Sequence, residues 1–237
     1  MTSSLTSLFV LARAPGLTIG ADDRAHLATA LGGIAGLTHG RVMTPDRTPA
    51  DQPFARDGSG PDLALQLYFA SSDAAQAALR ADSLLARLPV LQDLLRQDLP
   101  PDSVTHELMT ARVFPTGAAP PADPFLTFFV SYRGPAEDPQ AWLNHYDRHH
   151  PPIMVRFPGI REVETYRPTA WTSELPFARA ASLQRNKVVF ASLADLIAAL
   201  ASPVMAEMRA DMAQFPPFTL GNTHFPMTTW FIAGSGD

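Results

Sequence analysis

Three histidines lie close together near the middle of the chain, at positions 145, 149 and 150, and two prolines follow them directly. An imidazole has an ordinary pKa of about 6.5, so it exchanges protons readily at neutral pH. His150 is our candidate general acid and base, because it precedes the Pro151-Pro152 step, where the helix is expected to break or bend. The alternative is that His150 caps the carbonyl groups that the prolines leave without amide partners.

The residues before His150 have helical spacing. Trp142, Tyr146 and His150 recur every four positions, which predicts that they share the inward face of one helix. Tyr146 is therefore a second candidate catalytic residue, suited to hold an enol or phenolate oxygen by a hydrogen bond. Asp147 and Arg148 fall on the opposite side by helical phase, and we predict that they are surface charges.

His145 and His149 form an HxxxH pair, a spacing that can ligate zinc. The pattern lacks the glutamate of an HExxH motif and no third ligand is evident, so we predict no metal site. His149 also borders the inward face. It is a candidate substrate-binding residue, and it is the alternative to His150 as the key histidine. We expect His145 to lie at the surface.

The last predicted strand supplies a second group of candidates. Strand alternation places Asn222, His224 and Trp230 on one side, which we expect to face the interior of a barrel while the more apolar side packs on helices. We predict a catalytic role for His224 and substrate contacts for Asn222 and Trp230. His106 has the matching position in the first half of the chain, and a structural role for both histidines is an equal alternative.

Residues 168–186 form a connection longer than a hairpin needs. Trp171 and Phe177 within it can cover an apolar ligand, or the segment can simply pack on the protein. Arg167, just before it, either binds a substrate carboxylate or pairs with Glu162 or Glu164.

Composition limits the classes of function. The chain has 237 residues, 46% of them hydrophobic, a net charge of -5 and no cysteine. These values indicate a globular protein with no basic surface for nucleic acid, and they exclude disulfides and cysteine-ligated metal sites. We find no P-loop, dinucleotide-binding glycine motif or nucleophile elbow. The N-terminal apolar run is too short for a membrane span, and we predict a cytoplasmic protein without membrane contact.

The second half of the chain divides into regular elements. Residues 126–132, 161–167, 187–191 and 224–232 are predicted strands, because each is rich in β-branched or aromatic residues or alternates in polarity. Asp138 and Pro139 predict the start of the helix that carries the histidines. Ser192 and Asp195 form a capping box before an apolar helix that runs through Leu200.

The two halves of the sequence resemble each other. Residues 104–114 and 222–232 repeat Thr, His, Met and Thr with the same spacing, and residues 68–79 resemble 189–200, so we predict an internal duplication. A Pro- and Ala-rich linker at 116–124 separates a half at 1–115, which lacks the His-Pro-Pro motif, from a half at 125–237, which carries the candidate site. The order strand, helix, strand, strand, helix, strand in each half predicts an α+β fold. Two tandem ferredoxin-like halves would pack sheet to sheet as an intrachain pseudo-dimeric barrel.

The helix motif also carries a family resemblance. Tyr146, His150, Pro151-Pro152 and Ile153, followed by the Pro158-Gly159 exit, resemble the EthD-type branch of the dimeric α+β barrel superfamily. The resemblance covers about residues 125–233 and extends to the first half only through the repeat. It implies a pocket beside the first helix of the half that keeps the motif.

The resemblance implies fold more firmly than reaction, because this superfamily hosts isomerases, cyclases, decarboxylases, dehydratases, cofactor-free monooxygenases and haem enzymes. Our first hypothesis is a cofactor-independent lyase or isomerase that acts on a small hydrophobic, oxygenated or aromatic molecule. The alternatives are a haem enzyme with His150 or His224 as axial ligand, and a non-catalytic ligand-binding accessory protein. We expect a monomer or a homodimer.

Overall fold

The computed structural model describes residues 5–46, 57–58, 60–83 and 85–234. The strands are β1 Leu5–Ala12, β2 Leu37–Pro45, β3 Leu63–Phe69, β4 Val104–Phe114, β5 Phe125–Tyr132, β6 Glu162–Pro168, β7 Ala178–Arg179, β8 Gln184–Phe190 and β9 Asn222–Ala233. The helices are α1 Ala21–Gly32, α2 Ser72–Ala78, α3 Pro89–Leu95, α4 Pro139–Met154, α5 Leu193–Leu200 and α6 Val204–Met212. All four predicted strands of the second half are confirmed.

The strands form a closed antiparallel barrel. Eight of them follow one another in the order β1-β3-β2-β9-β5-β8-β6-β4, and β4 pairs again with β1. The short β7 adds to the outside of this ring by pairing in parallel with β4. The predicted α+β barrel is therefore confirmed, while the origin of its two parts by duplication stays a prediction.

Side chains separate into one interior layer and two exterior layers. A barrel of eight strands leaves an interior that side chains can fill, and a cluster made only of strand residues fills it here, including Phe9, Phe129 and Met227. Outside the barrel, β1 and β3 pack with α1, α2 and α3 in one core. Strands β5 and β8 pack with α4, α5 and α6 in a second core, and this second core contains the candidate site.

Helix α4 differs from the prediction at its C-terminal end. Asp138 caps its first turn by accepting a hydrogen bond from the Ala141 amide at 2.9 Å, as predicted, but the helix continues through Pro151 and Pro152 to Met154. A proline inside a helix costs about 3 kcal/mol relative to alanine. The prolines lie in the last turn, and burial of one face of the helix, which includes Trp142, offsets that cost.

Strand β9 corrects a second expectation. Asn222 and His224 were predicted to face the barrel interior, but they lie on its outer side, beneath α5 and α6. Phe225 and Met227 face the interior instead. Alternation identifies the two faces of a strand but does not say which is enclosed, and the closed barrel takes the more apolar face.

His106 also lies outside the barrel. Its Nε2 is 2.7 Å from the Ser173 hydroxyl and its Nδ1 is 3.0 Å from the Ala178 carbonyl oxygen. Trp171 and Phe177 pack edge-on against its ring. Residues 169–183 therefore cover His106. The corresponding position around His224 remains a pocket.

Candidate functional site

A cavity lies between the outer face of β5, β8 and β9 and the three helices of the second core. Its inner part, the inner chamber, has a volume of about 80 Å³. It continues into an open outer cleft of about 570 Å³. The inner chamber is lined mainly by apolar side chains, namely Phe128, Val130, Tyr132, Met154, Phe157, Val188, Phe190, Leu196, Leu200, Met205, Met208 and Met212, with His150, Asn186, Arg209, Asn222 and His224 as the polar groups.

His150 contributes to the wall of the inner chamber and is almost fully buried. Its Nδ1 is 2.7 Å from Oδ2 of Asp211 on α6, which is also buried. His145, one turn earlier on α4, places Nε2 3.4 Å from the other oxygen of Asp211. His145 was expected at the surface, but it is half-buried because it packs toward this carboxylate.

The Asp211 carboxyl is held as an anion. Burial alone would raise its pKa, but the hydrogen bond and charge of His150, with those of His145, outweigh burial and lower that pKa below its ordinary value. A carboxylate that accepts the Nδ1 proton of an imidazole fixes the ring and leaves Nε2 to exchange protons. The structure thus contains a histidine-carboxylate pair at an apolar wall.

Tyr146 is fully buried behind the chamber and is not part of its lining. Burial raises the pKa of its phenol well above the ordinary value, so the phenol stays protonated. Its oxygen accepts a hydrogen bond from Nδ2 of Asn186 at 2.7 Å. Asn186, which does line the chamber, is therefore held in place by Tyr146.

His224 lies at the junction of the chamber and the cleft. Oδ2 of Asp57 is 2.7 Å from its Nδ1 and 2.8 Å from its backbone nitrogen. Nε2 of His224 lies 3.3 Å from Nδ2 of Asn222, and its ring stacks on Phe128 with centroids 5.4 Å apart. The cavity thus has a second histidine-carboxylate pair, besides that of His150.

The structure does not bring every predicted residue to the cavity. His149 is exposed on α4, with its ring 4.7 Å from that of His145. Trp171 and Phe177 pack on the first core, as described for His106. Trp230 lies beneath the guanidinium of Arg24, 4.2 Å from its ring centroid. None of these four is among the residues that line the inner chamber or the outer cleft.

Arg167 is also remote from the cavity lining, and it pairs with neither Glu162 nor Glu164. Its Nε donates to Oδ2 of Asp147 at 2.8 Å, and its Nη2 donates to the Leu143 carbonyl at 2.9 Å. Asp147 was predicted to be a surface charge, but only 8% of it is exposed, because this ion pair joins α4 to β6. Arg167 therefore ties a helix to a strand.

Sequence reasoning missed several polar residues: Asp57, Asn186 and Arg209, which line the cavity, and Asp211, which lies behind His150. Asp211 is separated from His150 by 61 residues, so no local pattern connects them. One signal was available: Asp211 is three residues from Met208, so the two lie on the same side of a short helix. An acidic residue on that side predicts a buried polar partner.

Among the residues that the structure describes, no group of three or more histidine, aspartate or glutamate side chains is arranged to hold a metal ion. In the same part of the chain, no helix combines the length and the apolar character that a membrane crossing requires.

Comparisons in sequence find no matching family model and no matching curated protein. Solved structures do match over the whole chain. An anthrone oxidase-like protein has a TM-score of 0.60 at 10% identity, covering 99% of this chain and 94% of its own.

Two further structures match over similar lengths. A candidate monooxygenase from Lactobacillus acidophilus has a TM-score of 0.53 at 11% identity, covering 99% of this chain and 97% of its own. A chlorite dismutase from Candidatus Nitrospira defluvii has a TM-score of 0.50 at 9% identity, covering 96% and 92%. At these identities the likeness concerns the fold alone, and the chain shares the α+β barrel fold of these structures.

Proposed function

We propose that the protein is a cofactor-independent lyase or isomerase in which His150 moves a proton on a small, apolar, oxygenated or aromatic molecule. The observation that carries the proposal is the His150-Asp211 pair at the wall of an apolar chamber. Pockets of this kind bind small molecules through apolar walls and a few fixed polar groups. The buried carboxylate of Asp211 would stabilise the imidazolium that forms when His150 accepts a proton.

The remaining polar groups suit the oxygen of such a molecule. Asn186 and Asn222 both line the chamber and carry amide donors. Hydrogen bonds to a carbonyl oxygen strengthen as negative charge develops on it, so they favour an enolate over the ground state. Tyr146 acts indirectly, by holding Asn186.

Removal of a proton beside a carbonyl is a step that dehydration, cyclisation and lactone isomerisation share. In a dehydration, His150 takes the proton from carbon, the electron pair forms the new double bond, and the hydroxyl leaves as water after it is protonated. His224, with its own carboxylate partner, is suited to supply that proton. In a decarboxylation, carbon dioxide leaves first and His150 protonates the resulting carbanion.

Haem is implied for some members of this fold, and the residues here do not fit it. The chamber beside His150 has a volume of about 80 Å³, far smaller than the 300 Å³ or more of pockets that enclose drug-sized ligands. The two ring nitrogens of His224 already face polar neighbours, Asp57 and Asn222. We therefore propose that neither His150 nor His224 is an axial ligand. The visible spectrum of purified protein tests this, because a Soret band would contradict it.

We also propose that residues 1–115 support the barrel without a site of their own and that 125–237 hold the active pocket, with 116–124 as the linker. The cover that residues 169–183 place over His106 supports this division. The division is compatible with a monomer, since one chain closes the barrel. Light scattering of the purified protein distinguishes a monomer from a homodimer.

The decisive experiment measures proton transfer without requiring the natural substrate. The probe is 2-tetralone, a small aromatic ketone whose acidic hydrogens exchange with deuterium in D₂O and can be followed by NMR. We expect the protein to accelerate this exchange and His150→Gln to lower the rate by about a hundredfold. His149→Gln is the matched control, because His149 is exposed on the same helix, and it should exchange at the wild-type rate.

Two outcomes would contradict the proposal. A folded His150→Gln protein with the wild-type rate would remove His150 from the chemistry. Binding of 2-tetralone without any accelerated exchange would favour the non-catalytic alternative, in which the barrel only sequesters its ligand.

A further inference from the structure

We infer that the ligand is an organic anion, with an aromatic or alicyclic ring system in the inner chamber and a carboxylate at the guanidinium of Arg209. The inference rests on the proposed function, since it assigns a substrate class to the same pocket. It is carried by the position of Arg209, which lines both the inner chamber and the outer cleft.

Helix α6 places Arg209 at the cavity. Met205, Met208, Arg209 and Met212 are spaced so that they share one face of the helix, and all four line the inner chamber. Asp211 points from the same helix toward His150 on α4. The helix therefore presents three methionines and one cation to a ligand.

Arg209 differs from most other arginines of the described residues in having no partner. Arg156, Arg167 and Arg185 each pair with a carboxylate. Arg24 and Arg179 lie over tryptophan rings. Arg209 is exposed at the cleft, and no carboxylate or aromatic ring of the described part of the chain holds its guanidinium. Guanidinium binds carboxylate in a bidentate manner with good geometric fit.

The apolar part of the ligand follows from the walls. Methionine sulfur packs well against aromatic rings, and Met154, Met205, Met208 and Met212 are all in the lining. Phe128, Phe157 and Phe190 complete the apolar lining described above. A flat or compact ring system fits such walls better than a flexible polar molecule.

One acidic group also borders the cleft. Asp57 lies at the same rim, but its Oδ2 accepts hydrogen bonds from the backbone and the ring of His224. Asp57 is therefore already paired with His224. Of the charged groups that line the cleft, Arg209 is the one that remains to attract an anion.

The test compares two probes of the same shape, 2-naphthoate and the uncharged 2-naphthamide, by isothermal titration at pH 8. Hydrogen bonds to charged groups are stronger than those between neutral groups, so the wild-type protein should bind the acid at least about tenfold more tightly than the amide. In Arg209→Gln the two dissociation constants should become equal, while that of the amide stays unchanged. Arg209→Lys should keep part of the preference.

Arg148→Gln is the control, because Arg148 is exposed on α4 and does not line the cavity. It should keep the wild-type preference for the acid. Equal binding of the two probes to wild type, a preference that survives in Arg209→Gln, or binding of neither probe would each overturn the inference. Probe binding is measured without turnover, so a failure of the anion inference is distinct from a failure of the proposed proton transfer, which the deuterium-exchange rate of His150→Gln reports.

Discussion

At the residue scale, the important feature of His150 is that it lies neither in a loop nor at a free helix end. It is buried in the penultimate turn of α4 and oriented by a carboxylate from another helix. A histidine fixed in this way needs no rearrangement before it exchanges a proton, which lowers the barrier to transfer. Its role can therefore be tested through its partner as well as directly.

Asp211→Asn keeps the size of the side chain but removes its charge. We expect it to lower the rate of deuterium exchange on 2-tetralone by about tenfold to a hundredfold, because the imidazolium loses its stabilising anion. The Michaelis constant for the ketone should change little, since Asp211 does not line the chamber. Steady-state NMR exchange at several ketone concentrations separates the two quantities.

Asp211→Asn should also change the pH dependence of stability, and this change serves as its control. Because the pKa of Asp211 is lowered in the folded protein, its ion pair contributes stability above about pH 4, and this is lost as pH falls through the lowered value. Urea unfolding across that range should show a smaller acid-side loss in Asp211→Asn than in wild type. An unchanged exchange rate in a folded Asp211→Asn protein would mean that His150 does not depend on this carboxylate.

At the element scale, α4 shows what the sequence could and could not predict. The N-cap Asp138, the shared face of Tyr146 and His150, and the strands on either side follow from local patterns, and the structure confirms them. The continuation through two prolines does not follow, because it depends on how much surface the rest of the helix buries. Local signals fixed where the helix begins, and tertiary packing fixed where it ends.

The faces of the strands show the same division. The alternation in β9 correctly grouped Asn222 with His224, but whether that group faced the barrel or the helices depended on closure of a ring formed by strands from the whole chain. The wrong assignment hid the fact that His150 and His224 line one cavity. Asp57 and Asp211 remained hidden for a related reason, since each contacts its histidine across a long sequence separation.

The prolines of α4 give a prediction about the helix itself. Pro152 is exposed, and its ring nitrogen cannot donate to the helix, so Pro152→Ala should add a backbone hydrogen bond. Part of that gain is lost through greater freedom of the unfolded chain, and we expect a net stabilisation of about 1–2 kcal/mol. Thermal unfolding followed by circular dichroism measures it.

Pro120→Ala is the comparison for this prediction, since Pro120 is exposed in the connection between β4 and β5, where there is no helix to repair. It should be neutral or slightly destabilising. A lower stability of Pro152→Ala than of wild type would contradict this prediction. It would mean that the prolines stabilise the end of α4.

At the scale of the whole molecule, the barrel interior contains buried charges as well as apolar side chains. Nζ of Lys187, which is 1% exposed, lies 3.2 Å from Oε2 of Glu162 and 3.6 Å from Oε2 of Glu164. Glu164 also accepts hydrogen bonds from Tyr68 and Tyr166 at 2.6 and 2.5 Å. These groups belong to strands from both halves of the sequence, so the network joins the two halves of the barrel.

His39 lies where this network approaches solvent, with its ring stacked on that of Tyr68 at 4.2 Å. Burial, together with the charges of Arg41 and Lys187, lowers the pKa of His39 to about 4. The unfolded chain, in which the imidazole has its ordinary pKa of about 6.5, binds more protons between these two values. Stability from this residue is therefore present above about pH 6.5 and is lost as pH falls toward 4.

His39→Phe keeps an aromatic ring on Tyr68 and removes the titration. Relative to wild type, the variant should gain about 1–2 kcal/mol in unfolding free energy between pH 7 and pH 4.5, a value discounted for the partial exposure of His39. Urea unfolding at a series of pH values measures this difference. His26→Phe provides the matched comparison, because His26 is exposed on α1 and should leave the pH dependence as it is in wild type. A parallel pH dependence in wild type and His39→Phe would show that His39 accepts a proton in the folded barrel without cost, and that the positive charges of Arg41 and Lys187 are fully compensated by the two glutamates.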